Sequence, residues 1–238
     1  MKTLNSFEAL IQHITDLEKR LPALDLTNFT NVRIQHDAED LVAAAYMPED
    51  CRVKYPFPIK AMGDGNCFCR AASRLMFGEE SRHAEVRVRI IIEGIKNYLT
   101  YTSPKWLEEG ISNYKFKTNV PTYIASLGGH YDAHSTHQDT NLIYNNELFR
   151  FRLKGSEAGM FQVHMLAGVM GKNIMHIYPI YPGQESGREN FLQHRKVYHR
   201  VVRPPGGEMS QQFEAAIMFT PAGYGGSSEP NHFVPVVQ

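Results

Sequence analysis

The spacing of apolar residues changes along this chain, and that change limits the fold more than any single residue does. Through the first 170 residues, apolar side chains recur three and four apart. Beyond that they run in short stretches bounded by turn residues. Phe7, Leu10, Ile11, Ile14, Leu17 and Leu21 predict an amphipathic helix, capped by Asn5 or Ser6 and ended by Pro22. A second short helix is expected over 36–46, with acids in its first turn, where the helix dipole favours them. Pro48, Pro56 and Pro58 make 48–60 extended or looped. Helices then follow over 67–77, stopped by Gly78, over 82–101 (Ala84, Val88, Ile91, Ile95, Leu99) and over 157–170. The polar stretch 128–147 reads as a loop. Strands are expected over 174–180, 196–202, 215–220 and 233–237, with a glycine-rich, mobile loop over 221–230. Helices first and mostly strands afterwards point to an α+β class, not a doubly wound sheet.

Composition excludes several classes. With 238 residues, 42% of them hydrophobic, the chain can bury a core of its own and holds one domain or two; it is not a disordered, collagenous or disulfide-stapled chain. No stretch reaches the roughly 18 apolar residues of a membrane helix, and Glu8, His13 and Asp16 stand where a secretion signal needs an apolar run. Formal net charge is zero, so nucleic-acid binding has no electrostatic support. Charge is uneven, however. Residues 1–50 hold 9 acidic and 4 basic side chains, net −5, and residues 51–106 hold 5 and 10, net +5. The two segments are expected to face each other. Three cysteines, Cys51, Cys67 and Cys69, cannot all pair, which fits a reducing, intracellular setting, cytoplasmic or nuclear.

The segment Gly63-Asp64-Gly65-Asn66-Cys67-Phe68-Cys69-Arg70 is the most informative for chemistry. A glycine-bearing turn delivers Cys67 onto the first turn of a helix, where partial positive charge lowers a thiol pKa. The same turn leaves backbone N–H groups free to hold an oxyanion. A thiol nucleophile also needs a base, and the chain has 11 histidines. His232 stands out among them because it joins a mobile loop to an apolar strand.

These residues resemble a known family. Asp64-Gly65-Asn66-Cys67-Phe68-Cys69-Arg70 resembles the D-G-N-C-x-x-R nucleophile motif of the ovarian-tumour (OTU) family of papain-like cysteine proteases, and Asn231-His232-Phe233 resembles its C-terminal histidine motif. His83-Ala-Glu-Val86-Arg87, Gly159–Ala167 and Asn173–Tyr178 are similar to its H-x-x-V-R helix, its G-x-x-E-L-x-A-L-A helix and its I-x-V-Y strand, in the same order. The ending Asn-His-Phe-Val-Pro is similar to the divergent vertnin-type branch. The resemblance implies an OTU fold, with a mixed or antiparallel sheet flanked by helices, over 55–238. Residues 1–54 form an N-terminal helical extension packed on or preceding it.

It also implies a monomeric deubiquitinase that needs no metal or other cofactor and no membrane. Its partner is ubiquitin or a ubiquitin-like modifier. Cys67 attacks the isopeptide carbonyl, His232 is the base, and the backbone of Asp64, Gly65, Asn66 and Cys67 forms the oxyanion hole. Many members place Asp or Asn two residues after the histidine to orient it; here that position is Val234, and Asn231 or Asp64 is the candidate replacement. This departure keeps open a second reading, a catalytically inactive OTU-like module that binds ubiquitin or another protein. A third rests on His130, His134 and His137 with Asp132 and Asp139, residue types that bind zinc, although a solvated loop is the expected state there.

Overall fold

The strands divide their side chains between two covered faces. In β4 (Ala215–Thr220), Ala215 and Ile217 join one apolar cluster, while Ala216 and Met218 join a second. That is the period of two a pleated strand imposes. β5 (His232–Val237) repeats it, with Phe233 and Val237 on one side and Val234 and Val236 on the other. A sheet buried on both faces needs a layer on each. The structure, a computed structural model, describes residues 7–26, 38–103, 105–106, 140–180, 199–207, 214–220 and 232–237.

The larger layer is helical: α1 (Phe7–Glu18), α4 (Cys67–Phe77), α5 (His83–Lys96), α7 (Thr140–Phe151) and α8 (Met160–Met170). α5 packs against the other four. α8 is buried from Met160 through Ala167, so it is a core helix enclosed on all sides and carries no polar stripe. Each large apolar side chain sealed this way contributes about 1.5–3 kcal/mol. The smaller layer comes from α2 (Leu41–Tyr46) and α3 (Glu49–Arg52), whose Ala43, Met47 and Cys51 pack with Tyr55 onto the second face.

The sheet runs β1-β5-β4-β2-β3, with β1 at Phe57–Pro58, β2 at Ile174–Ile177 and β3 at Arg200–Val202. β2 and β4 are parallel; the other pairs are antiparallel. The result is an α+β domain with a mixed sheet flanked by helices. Register places Thr220 opposite His232 and Met218 opposite Val234, and Glu39 bridges to Ile59 beyond β1.

Several elements differ from the sequence reading. The helix expected over 82–101 breaks at Asn97, whose side chain donates to Glu93 Oε1 at 2.8 Å; α6 (Tyr98–Tyr101) follows and leaves Leu99 exposed. The backbone of Asn97 leaves helical geometry there, with φ −103° and ψ 23°. Within the expected loop 128–147, residues from Thr140 onward are helical. Tyr144, Leu148 and Phe151 form a buried stripe at four and three, masked in sequence by the asparagines between them; 128–139, with the histidine cluster, lie outside the described residues.

The helix expected over 36–46 starts only at Leu41. Asp40 caps it, accepting from Val42 N at 3.1 Å and Ala43 N at 3.0 Å, so the acids precede the first turn. Within 48–60, β1 is extended as expected, and only the four-residue α3 departs from an extended or looped chain. β2 stops at Ile177, α8 starts at Met160, and β5 begins with His232 itself. The opposed charges of 1–50 and 51–106 meet in an exposed Lys96–Glu18 pair at 2.7 Å. Arg52 also reaches back to Glu49 at 3.8 Å, while Arg70 and Arg74 pair with Glu80, and Arg82 and Arg89 with Glu85, inside 51–106. The loop 221–230 lies outside the described residues. Among those described, no helix is long and apolar enough to cross a membrane.

Gly94 marks the tightest approach in the helical layer. A Cβ there would lie 2.8 Å from Leu148 Cδ2, 2.9 Å from Met165 Sδ and 3.1 Å from the Tyr144 hydroxyl. Gly94→Ala is expected to cost about 1–3 kcal/mol by overpacking. Urea unfolding checks this, and an unchanged midpoint would show that α7 and α8 yield freely.

Candidate active site

Two aromatic residues bring the two ends of the chain's chemistry together. Phe68, the second residue of α4, packs edge-to-face on Phe233 with centroids 5.0 Å apart, and Phe233 stacks on Phe219 at 4.5 Å. Cys67 precedes Phe68 and His232 precedes Phe233, so the contact carries both to one place. The backbone amides of Phe233 and Phe68 lie close enough to the Cys67 sulfur to favour its thiolate. His232 lies behind Gly63, whose missing Cβ would sit 3.8 Å from the imidazole Nδ1 and Cε1. The Ala61 carbonyl lies close enough to the ring to favour its protonated form. The imidazole is thus held against the turn that leads into Cys67.

That turn is fixed at each residue. Gly65 has φ +74°, and a side chain on it would run into the Gly155 carbonyl. Asn66 is 2% exposed: its Oδ1 accepts from Arg87 Nη2 at 3.0 Å and Gly155 N at 3.1 Å, and its Nδ2 donates to Asp64 Oδ2 at 2.9 Å. Arg70 holds the Asp64 carboxylate with Nε at 3.1 Å and Nη2 at 2.8 Å. Met62 N–H reaches Glu80.

These bonds sort the residues nominated from sequence. Cys67 and His232 open elements that pack on each other, α4 and β5, through Phe68 and Phe233. The Asp64 carboxylate is committed to Arg70 and Asn66, so it neither orients His232 nor caps α4; it closes an Asx turn through Asn66 N–H at 3.0 Å. That bond removes the Asn66 amide from the expected oxyanion hole. Among the described residues, the N–H groups of Asp64, Gly65 and Cys67 meet no protein acceptor. Asn231 lies outside the described residues. Val234 is fully buried in the second apolar cluster and offers the imidazole no polar group. Across the sheet, the buried Thr220 Oγ1 has no partner among the described residues. Arg87 had a sequence signal, the Val86-Arg87 pair; Ala61 and Gly155 had none.

The electrostatics correct one expectation. The Cys67 thiol sits above, not below, its ordinary pKa: burial raises it most, the amides of Phe233 and Phe68 oppose, and Asp64 and Glu157 add to the rise. Burial lowers His232, against Asp40 and the Ala61 carbonyl. At rest the pair is therefore a neutral thiol beside a neutral imidazole. Cys69, wholly buried, is pushed up to about 12 by desolvation and is inert.

A second cysteine–histidine pair differs in kind. Cys51 Sγ lies 4.0 Å from His199 Nε2, with Asp50 Oδ2 at 3.9 Å from the same nitrogen. The three could be counted as metal ligands. However, Tyr178 N–H donates to His199 Nδ1 at 3.2 Å, which leaves the neutral ring's proton on Nε2. A protonated Nε2 neither takes a thiol proton nor ligates a metal.

The family model described as "Vertnin, OTU domain" matches residues 58–220, more than half of the chain. This chain belongs to the vertnin OTU domain family. The match includes Cys67 and ends before His232. Vertnin of Bos taurus and vertnin of Homo sapiens are each 24% identical to this OTU domain over 166 residues, 69% of it. Those residues span 23% and 21% of the relatives' own lengths. A solved structure titled "Structure of OTUD1 OTU domain" aligns with a TM-score of 0.39 at 15% identity, covering 76% of this chain and 85% of that one.

Two outcomes follow for this OTU domain. Arg70 holds the Asp64 carboxyl well below the usual carboxylate range. A depressed carboxyl adds stability above its unfolded pKa of about 4 and loses it as pH falls through the folded value. Wild type should thus be more stable than Asp64→Asn at pH 7, with the gap narrowing steadily as pH falls below about 4; guanidinium unfolding at several pH values checks it. Iodoacetamide should alkylate Cys67 with a midpoint above the free-thiol value of about 8.5. A midpoint below that, read by peptide mass spectrometry, would mean a resting thiolate.

Proposed function

We propose that this OTU domain is a cysteine isopeptidase that removes ubiquitin or a ubiquitin-like modifier from lysine, acting as a monomer in a reducing intracellular compartment. The observation that carries the reading is the packing of Phe68 on Phe233, which sets Cys67 at the start of α4 near His232 at the start of β5, beside a turn with open N–H groups. His232, neutral at rest, takes the thiol proton as sulfur attacks the carbonyl carbon. The oxyanion forms among the N–H groups of Asp64, Gly65 and Cys67, each such donor being worth about 10²–10³ in rate. The imidazolium then gives its proton to the departing lysine amine, leaving a thioester. Water, deprotonated by the same imidazole, cleaves it and restores the thiol. No step needs a metal or cofactor.

Val234 supports a second reading, a module that binds the modifier without cleaving it, since no carboxylate or amide orients the imidazole from that position. A ubiquitin derivative with a C-terminal electrophile separates the two. Wild type should form a covalent adduct that Cys67→Ala abolishes, and His232→Ala should lower turnover by about 10²–10⁴. Binding without any adduct would favour the module.

A further inference from the structure

Arg87 is a cation that packing does not require. Its guanidinium belongs to a residue only 7% exposed, on α5. A buried charge is costly unless its partners are well placed, yet no carboxylate contacts it among the described residues. Its Nη1 donates to the Phe151 carbonyl, and both Nη1 and Nη2 reach the Ser156 carbonyl at 3.4 Å. Nη2 donates to Asn66 Oδ1 at 3.0 Å, and the group lies 4.4 Å over the Phe151 ring. Every polar partner is therefore either the oxyanion turn or the segment that ends α7 and leads into α8.

These two segments touch back to back. Gly155 N–H shares Asn66 Oδ1 with Arg87, and Gly155 packs against Gly65. Asn66 passes the link on through Nδ2 to Asp64, which Arg70 neutralises. The chain runs cation, amide, carboxylate, cation, and each member polarises the next. Residues 63–67 are thus held from behind, while their outward N–H groups stay open.

We propose that Arg87 is a positioning residue that holds the oxyanion turn through the Asn66 side chain, and so sets transition-state stabilisation without touching substrate. The inference rests on the isopeptidase reading. Cys67 attack on small electrophiles does not use the turn, whereas a tetrahedral adduct does. Displacing donors by about 1 Å typically costs on the order of 100-fold.

The experiment compares wild type, Arg87→Met and Arg87→Lys in three measurements: turnover of a ubiquitin C-terminal fluorogenic amide, inhibition by ubiquitin C-terminal aldehyde, and iodoacetamide alkylation of Cys67. Arg87→Met should lower kcat and weaken aldehyde inhibition about 10–100-fold, with KM and Cys67 alkylation within about threefold. Arg87→Lys, which keeps a cation able to reach one of the oxygens, should recover part of the loss. Should Arg87→Met not fold, Asn66→Ser, whose shorter side chain cannot bridge to Arg87 and Gly155, should show the same split. Unchanged kcat, or a loss shared equally by turnover and alkylation, overturns the positioning role and leaves the isopeptidase reading standing. A wild type that neither turns over the amide nor binds the aldehyde, while Cys67 still alkylates, overturns that reading and this one with it.

Discussion

The edge-to-face contact of Phe68 on Phe233 is the interaction on which the site depends. An aromatic pair of this kind adds about 0.5–1.5 kcal/mol beyond its buried area, but its geometric effect is larger than its energy. It seats the start of α4 on the start of β5 and brings the Phe233 amide close to the Cys67 sulfur. The rings are buried because α4 and β5 belong to the same apolar cluster, together with Phe151 and Phe219. The reacting groups sit at the edge of that cluster, each one residue away from a ring in the core.

Electrostatics around the site follow from that burial. A thiol in an apolar setting prefers its proton, and an imidazole in the same setting prefers to lack one. The N-terminal helix dipole acts the other way on Cys67 and is outweighed. Asp64 would further oppose negative charge on sulfur, and the bidentate Arg70 pair offsets much of its field. Both shifts favour the uncharged forms at rest over a standing thiolate–imidazolium ion pair.

Much of this was legible in the residues. The turn motif ending in Cys67, the helix behind it and the strand carrying His232 all follow from local signals, because glycine, proline and apolar periodicity act over a few residues. The failures are equally local in origin. α7 was hidden by asparagines, poor helix formers, of which Asn141 and Asn146 lie exposed beside the Tyr144–Leu148–Phe151 stripe. The break at Asn97 is a change of backbone geometry at one residue. The lowered thiol pKa was expected from the helix terminus alone, since burial is not a property of seven residues.

The sequence by itself determined the element types, the α+β order and the thiol-bearing turn, all of which depend on interactions between near neighbours. Only the tertiary structure decided which groups meet: Ala61 with His232, Arg87 and Gly155 with Asn66, Asp64 with Arg70 rather than with the imidazole. Those pairings are fixed by how α5, the segment after α7 and β5 pack around one core. The energy that brings them together comes from non-directional apolar burial spread over the whole molecule, which leaves no mark at the residues it aligns.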